Sequence, residues 1–244
     1  KNISYHPGGD YLSGIGGSPE ARERTRAILR AHNETVARFL APLLPEYADG
    51  WRRGKVNFRP LQERGRALSK HSSNERVHVD AFASGATHGD RVLRFFTNVH
   101  PEEPRVWRSA GLFPELYREF GAAAGIDGLG RRGLSAGLGG RALTGVVRLL
   151  ARAGLEQALT IDTSPYDRAM RRLHNHLKDD EAFQADEARC VRMEFPPLSS
   201  WVVLTDLVSH ACVSGQHALV NTWYVDLGHC ARPELAPYHV MASS

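Results

Sequence analysis

Apolar positions return at helical spacing over residues 18–41, where Ile28, Leu29, Val36, Phe39 and Leu40 make one face. Ser18 stands where a cap belongs, Pro19 suits a first helical turn, and Pro42 and Pro45 close the segment. Short runs of β-branched and aromatic residues then predict strands at 55–59, 77–82 and 92–99, with 105–108 short and ambiguous. The pattern changes in the middle of the chain. Residues 111–124 and 143–158 read as helical, and 164–178 does so most clearly. Ser164 caps that last helix, Pro165 opens it, and Tyr166, Met170, Leu173 and Leu177 form its buried stripe. A Gly-rich stretch without periodicity, 125–141, reads as a mobile loop of the kind that serves as a lid. Strand patterns return at 190–195, 201–205 and 219–227, broken by Pro196-Pro197 and Ser214-Gly215.

This order predicts a mainly β fold with flanking helices. Its core is a double-stranded β-helix (jelly roll) carrying a helical, Gly-rich insert over about 111–178, with the first helix packed outside. Residues 1–244 are expected to make a single domain.

Composition changes little in that picture. Hydrophobic residues are 42% and charged residues 24%, which excludes a disordered chain. No apolar run approaches the ~18 residues of a membrane span, and no charged-then-apolar leader opens the chain. Three cysteines, Cys190, Cys212 and Cys230, lack CxxC spacing and argue against a zinc ribbon or a disulfide scaffold. They point to a reducing, cytoplasmic setting. Net charge is +4, and no nucleic-acid partner is expected. The basic side chains are unusual in kind: only Lys1, Lys55, Lys70 and Lys178 are lysines, leaving 27 arginines. A coding sequence rich in G and C accounts for most of this excess. Arginine is also the side chain that grips carboxylates bidentately, so some of the 27 are candidate anion clamps.

The candidate chemistry begins at His78-Val79-Asp80. Residues two apart on a strand face the same way, so the imidazole and the carboxylate can meet one ion. A second histidine would complete a 2-His-1-carboxylate site, which holds non-haem Fe(II) on one face and leaves the other positions open. An HxD pair alone is equally a surface strand with two polar residues. Among 12 histidines, His210 is the best placed, between two strand-like segments. His174 and His176 lie on a helix, His229 near the C-terminus, and His88 and His100 in turns.

At these positions the chain resembles the Kdo hydroxylases, iron(II)- and 2-oxoglutarate-dependent oxygenases of Gram-negative bacteria. The resemblance rests on ordered short matches. They include Phe58-Arg59-Pro60, Arg76 to Phe82, Arg91 to Arg94, Pro104 to Trp107, Tyr166-Asp167 with His174, Thr205-Asp206, Ser209-His210-Ala211, Ser214-Gly215-Gln216 and Asn221 to Tyr224. It implies a hydroxylase that uses Fe(II), 2-oxoglutarate and O2 to convert Kdo, the sugar acid joining lipid A to core oligosaccharide, into Ko by hydroxylation at C3. His78, Asp80 and His210 would be the iron ligands. The basic residue usual after the second histidine is missing here. The resemblance instead implies Arg94 and Arg105 for 2-oxoglutarate, with Arg59, Trp107 and Thr222 beside them. Arg76, Asp167, His174 and Gln216 are the substrate candidates, although Asp167 reads equally as a helix-cap partner and His174 as a packed histidine. An anionic glycolipid substrate implies peripheral contact with the inner face of the membrane. Departures at Ala83, Thr163 and His217 leave room for another sugar acid or a natural-product intermediate. A jelly-roll binding module without catalysis is the reading of another class.

Overall fold

The structure is a computed structural model that describes residues 2–81, 86–135, 142, 146 and 164–244. Helix α1 (Pro19–Leu40) begins as the sequence predicts, with the Ser18 hydroxyl accepting from the Ala21 amide at 3.3 Å. Its buried stripe is Leu29, Asn33, Val36, Ala37 and Leu40, a run at i, i+4, i+7, i+8 and i+11. Ile28 and Phe39 were expected on this face but are 54% and 56% exposed. Each lies one residue, about 100°, off the stripe.

Among the described residues nine strands form two antiparallel sheets. They are β1 (Ile3–His6), β2 (Tyr11–Ser13), β3 (Trp51–Arg59), β4 (Arg91–Asn98), β5 (Arg105–Ser109), β6 (Val191–Phe195), β7 (Ser200–Leu204), β8 (Ala211–Ser214) and β9 (Ala218–Val225). The large sheet runs β2-β1-β3-β9-β4-β7 and the small one β6-β5-β8. This is the jelly-roll architecture that the order of short strands and turns predicts. Strands β1, β2 and β8, at 4, 3 and 4 residues, are too short to be read in advance. One face of the large sheet presents Leu93, Phe95, Trp223 and Val225 to Val36, Ala37 and Leu40 of α1. The other face turns toward the small sheet, where Phe96 and Val220 meet Trp107 and Cys212. Register places Arg94 opposite Thr222 and Arg59 opposite Ala218, on this inner face.

A helical cluster closes one end. It is built from α3 (Phe113–Phe120), α4 (Gly130–Leu134), α5 (Pro165–Asp179), α6 (Glu181–Ala185) and α7 (Pro237–Ala242), whereas the short α2 (Pro45–Gly50) packs Tyr47 against the α1 side of the large sheet. Phe113, Leu116, Ile126, Leu134, Tyr166, Met170, Leu173 and Leu177 are buried together. The sequence reading of 125–141 as a mobile loop is therefore corrected over its first half. Ile126 and Leu134 plug into this core, and α4 follows a chain reversal at Gly125 and Gly128. Residues 136–141 and nearly all of the expected 143–158 helix lie outside the described residues. No helix among the described residues is long and apolar enough to cross a membrane.

Candidate active site

Two valines set the direction of His78 and Asp80. Val77 and Val79 are fully buried in the helical cluster, so His78 and Asp80 point the other way, between the sheets. Over its described residues, 77–81, the expected strand at 77–82 is only an extended segment. It has one bridge, His78 to His210, in which each amide donates to the other's carbonyl at 3.1 and 2.8 Å. The Asp80 amide adds a bond to the Thr205 carbonyl at 2.8 Å. Alternation survives without a ladder because the valines fix it.

This bridge delivers the third residue. Single side-chain atoms of His78, Asp80 and His210 all lie within 4.8 Å of one another. Asp80 Oδ1 is 3.8 Å from His78 Nε2 and 3.9 Å from His210 Nε2. Nδ1 of His78 donates to the Arg76 carbonyl at 2.7 Å, and Nδ1 of His210 to the Val208 carbonyl at 2.9 Å. Both bonds fix the tautomer that leaves Nε2 with its lone pair free for a metal. Burial pushes the His78 pKa well below the ordinary value, with His210, Lys178 and His174 adding to the effect. Burial lowers His210 too. Burial raises Asp80, but Arg94, His210 and His78 outweigh it and hold the carboxyl well below the usual range. All three are thus in their ligating forms near neutrality. The donor set is right for Fe(II), with one carboxylate and two imidazoles gathered on one side.

Arginines surround this centre. Arg94 Nη1 lies 3.2 Å from Asp80 Oδ2, and both side chains are buried. Arg105 is fully buried on β5. Arg59 stands over the Phe96 ring, its guanidinium carbon 5.9 Å from the centroid. Burial, Arg105 and Arg94 lower the Arg59 pKa to about 10. Arg105 Nε and Nη1 and Arg59 Nε are buried without a hydrogen-bond partner. Buried donors of this kind are costly unless something accepts from them, and a dicarboxylate fits that demand. Gly215, at φ 136°, lets Arg105 pass: a Cβ there would stand 2.6 Å from Arg105 Cγ.

The other expected residues fall into distinct places. Trp107 stacks on His210, ring centroids 5.1 Å apart and 21° from parallel, so it braces that ring. Thr222 is buried opposite Arg94. His174 meets His78 edge to face at 4.9 Å and donates from Nδ1 to the Val79 carbonyl at 2.8 Å. Asp167 is occupied by structure: it accepts from the Thr87 amide and hydroxyl at 2.8 and 2.9 Å, from the His88 amide and from the Ser164 hydroxyl. That is the cap role, extended to a clamp on the loop beyond Asp80. Arg76 pairs with the exposed Glu181 at 2.8 Å. Gln216 is half-buried in the β8–β9 turn. His88, His100, His176 and His229 do not join the triad. Sequence reasoning missed Glu63, a buried carboxylate beside Arg59 and Arg105, because an acid in an irregular loop carries no pattern.

An antiparallel double-stranded β-helix holding two histidines and an aspartate between its sheets defines a mononuclear non-haem iron oxygenase. The 3-deoxy-D-manno-oct-2-ulosonic acid (Kdo) hydroxylase family profile matches residues 1–243. The chain belongs to that family. It is similar to the crystal structure of the Kdo hydroxylase KdoO, a non-heme Fe(II) alphaketoglutarate-dependent dioxygenase, in complex with alphaketoglutarate and Fe(III), with 31% identity and a TM-score of 0.80. That match covers 99% of this chain and 76% of the other. It is likewise similar to the cobalt(II) complex of KdoO, with a TM-score of 0.81 and 31% identity over 100% of this chain and 76% of that one. The complex with succinate and Fe(III) matches at 30% identity and a TM-score of 0.80, over 99% and 75%. No curated protein sequence matches the chain. Fe(II) and 2-oxoglutarate are the cofactors of this class of hydroxylase.

Proposed function

We propose that this chain hydroxylates Kdo at C3, on Kdo carried by the lipid A-linked core, and that His78, Asp80 and His210 hold the iron. The observation that supports this most is the ligand triad, its three donors prepared and buried beside arginines with unused N–H groups. Bound iron with 2-oxoglutarate and O2 supplies the oxidising power that replaces a C–H bond by C–OH. The chain's own residues do the rest. Arg94 and Arg105, with Arg59 beside them, fix the dicarboxylate. Thr222 borders it, and Trp107 keeps the His210 ring in place. The packed sheets exclude bulk water, which strengthens each of these charge contacts. Arg76 is offered to the sugar acid: its pair with exposed Glu181 is worth only ~0–1 kcal/mol and exchanges readily for a substrate carboxylate. Gln216 is the polar partner from the β8–β9 turn, and His174 acts from behind His78. The enzyme works in the cytoplasm, in peripheral contact with the membrane face that presents the glycolipid, and its free thiols suit that compartment.

The test is a reaction in two stages. Fe(II) and 2-oxoglutarate are added without oxygen, and the metal-to-ligand charge-transfer band is recorded. Oxygen and Kdo-lipid A follow, and products are read by mass spectrometry. The expected results are the band, succinate, and a one-oxygen gain on Kdo, all absent in His78→Ala. Succinate without that gain would redirect the reading to another sugar acid. Absence of the band in the wild-type protein would remove the assignment altogether.

A further inference from the structure

Between β3 and His78 the chain passes through a loop whose Glu63 is 1% exposed. Acidic side chains are almost never so deeply buried unless paired. Glu63 Oε2 accepts from Asn74 Nδ2 at 3.0 Å and from Arg66 Nη1 at 3.1 Å. Its Oε1 accepts from Arg105 Nη2 at 3.4 Å, and Arg59 Nη1 lies 4.0 Å from the same oxygen. Burial raises its pKa, but Arg59, Asn74, Arg105 and Arg66 outweigh this and keep it charged.

The loop is itself anchored. The Gly215 amide donates to Gln62 Oε1 at 2.5 Å, and the Glu63 amide donates to the Gly215 carbonyl at 3.1 Å. Glu63 is therefore held by the β8–β9 turn rather than by the arginines alone. Its effect on Arg105 is one-sided. Nη2 is tied to Glu63, while Nε and Nη1 stay buried and without a partner. Arg59 faces the same carboxylate less tightly: its Nη1 is 4.0 Å from Glu63 Oε1, an ion pair beyond hydrogen-bond reach, and its Nε is unpartnered. A guanidinium is planar, so tying one corner fixes the direction in which the other N–H groups point.

We propose that Glu63 is a positioning residue for the co-substrate: it pins the Arg105 plane, and holds Arg59 beside it by charge, so that their remaining donors converge on the distal carboxylate of 2-oxoglutarate. The inference rests on the reading of Arg94 and Arg105 as co-substrate arginines. Glu63 itself touches neither metal nor substrate. It also cancels part of the arginine charge, so the site binds by orientation rather than by bulk attraction.

The experiment measures 2-oxoglutarate affinity by anaerobic titration of the Fe(II)-loaded protein, and separately by calorimetry with Co(II) in place of iron. Glu63→Gln, Glu63→Asp and Arg105→Ala are compared with the wild type. Glu63→Gln is expected to weaken 2-oxoglutarate binding roughly tenfold, as loss of an orienting partner does at ligand sites. KM for 2-oxoglutarate should rise in step, with kcat at saturation and Co(II) affinity unchanged. Glu63→Asp, which keeps the charge but sits one methylene back, should fall between and decides the matter if the glutamine variant does not fold. Unchanged or tighter binding in the Glu63 variants, with Arg105→Ala weakened, overturns the inference and leaves the co-substrate arginines standing. Unchanged binding in Arg105→Ala as well overturns both.

Discussion

A histidine has to be neutral before it can bind iron, and the surroundings of His78 and His210 favour that form. Burial lowers both, and it takes His174 to about 4. The unfolded chain gains protons at these rings once pH falls below ~6.5, while the folded protein resists doing so. Stability contributed by the three rings is therefore present above that pH and is lost as pH falls toward their folded values. The metal-free protein should hold a constant urea midpoint from pH 8 to 7. It should then lose up to about 1.4 kcal/mol per pH unit for each ring that stays unprotonated. A midpoint unchanged down to pH 5 would contradict these burials. His174 gives a second prediction. Its ring braces His78 and its Nδ1 ties the Val79 carbonyl, between His78 and Asp80. His174→Ala should weaken Co(II) binding by about 10- to 100-fold, the usual cost of losing such support. Spectrophotometric Co(II) titration reads it directly, and wild-type affinity in the variant would place His174 outside the metal site.

Elements were legible where the hydrophobic period was strong. α1, α5, β4 and β9 fall within a residue or two of their expected bounds. The face of α1 was misread because Ile28 and Phe39 are as apolar as their buried neighbours, and periodicity over a few turns leaves the phase open by one residue. Leu29→Ala should cost about 2–5 kcal/mol by opening a cavity beneath the large sheet. Ile28→Ala should stay within ~0.5 kcal/mol, as exposed substitutions do. Chemical denaturation of both separates the two faces, and equal losses would refute the assignment. The HxD motif was legible for a sounder reason than the strand around it. Val-His-Val-Asp sets inside and outside whether or not a ladder forms, so His78 and Asp80 share a face although the described residues of the expected 77–82 strand make only one bridge. The Gly-rich stretch erred in the opposite direction. Glycines at 125, 128 and 130 hide the fact that Ile126 and Leu134 reach the core.

At the scale of the molecule, the site is assembled from parts that adjacency in sequence does not reveal. Arg59, Arg94, Arg105 and His210 come from β3, β4, β5 and the start of β8, which the sheets bring together. Composition showed an excess of arginine but could not say which ones turn inward. The family resemblance named Arg94 and Arg105, both of which are buried, and Arg105 keeps Nε and Nη1 without a partner, as Arg59 keeps Nε. Because both sheets and the helical cluster meet at this point, ligands that fill it should stabilise the whole fold. A ligand at 100 times its dissociation constant adds ~2.7 kcal/mol. For a chain of this length that corresponds to a Tm increase of roughly 5–10 °C. Co(II) and 2-oxoglutarate should therefore raise Tm in two separable steps. Arg105→Ala should keep the step due to Co(II) and lose most of the one due to 2-oxoglutarate, whereas His210→Ala should lose both, since the co-substrate also needs the metal. Differential scanning calorimetry of the three proteins with each ligand alone and together measures this. A full 2-oxoglutarate step in Arg105→Ala would move the dicarboxylate away from β5.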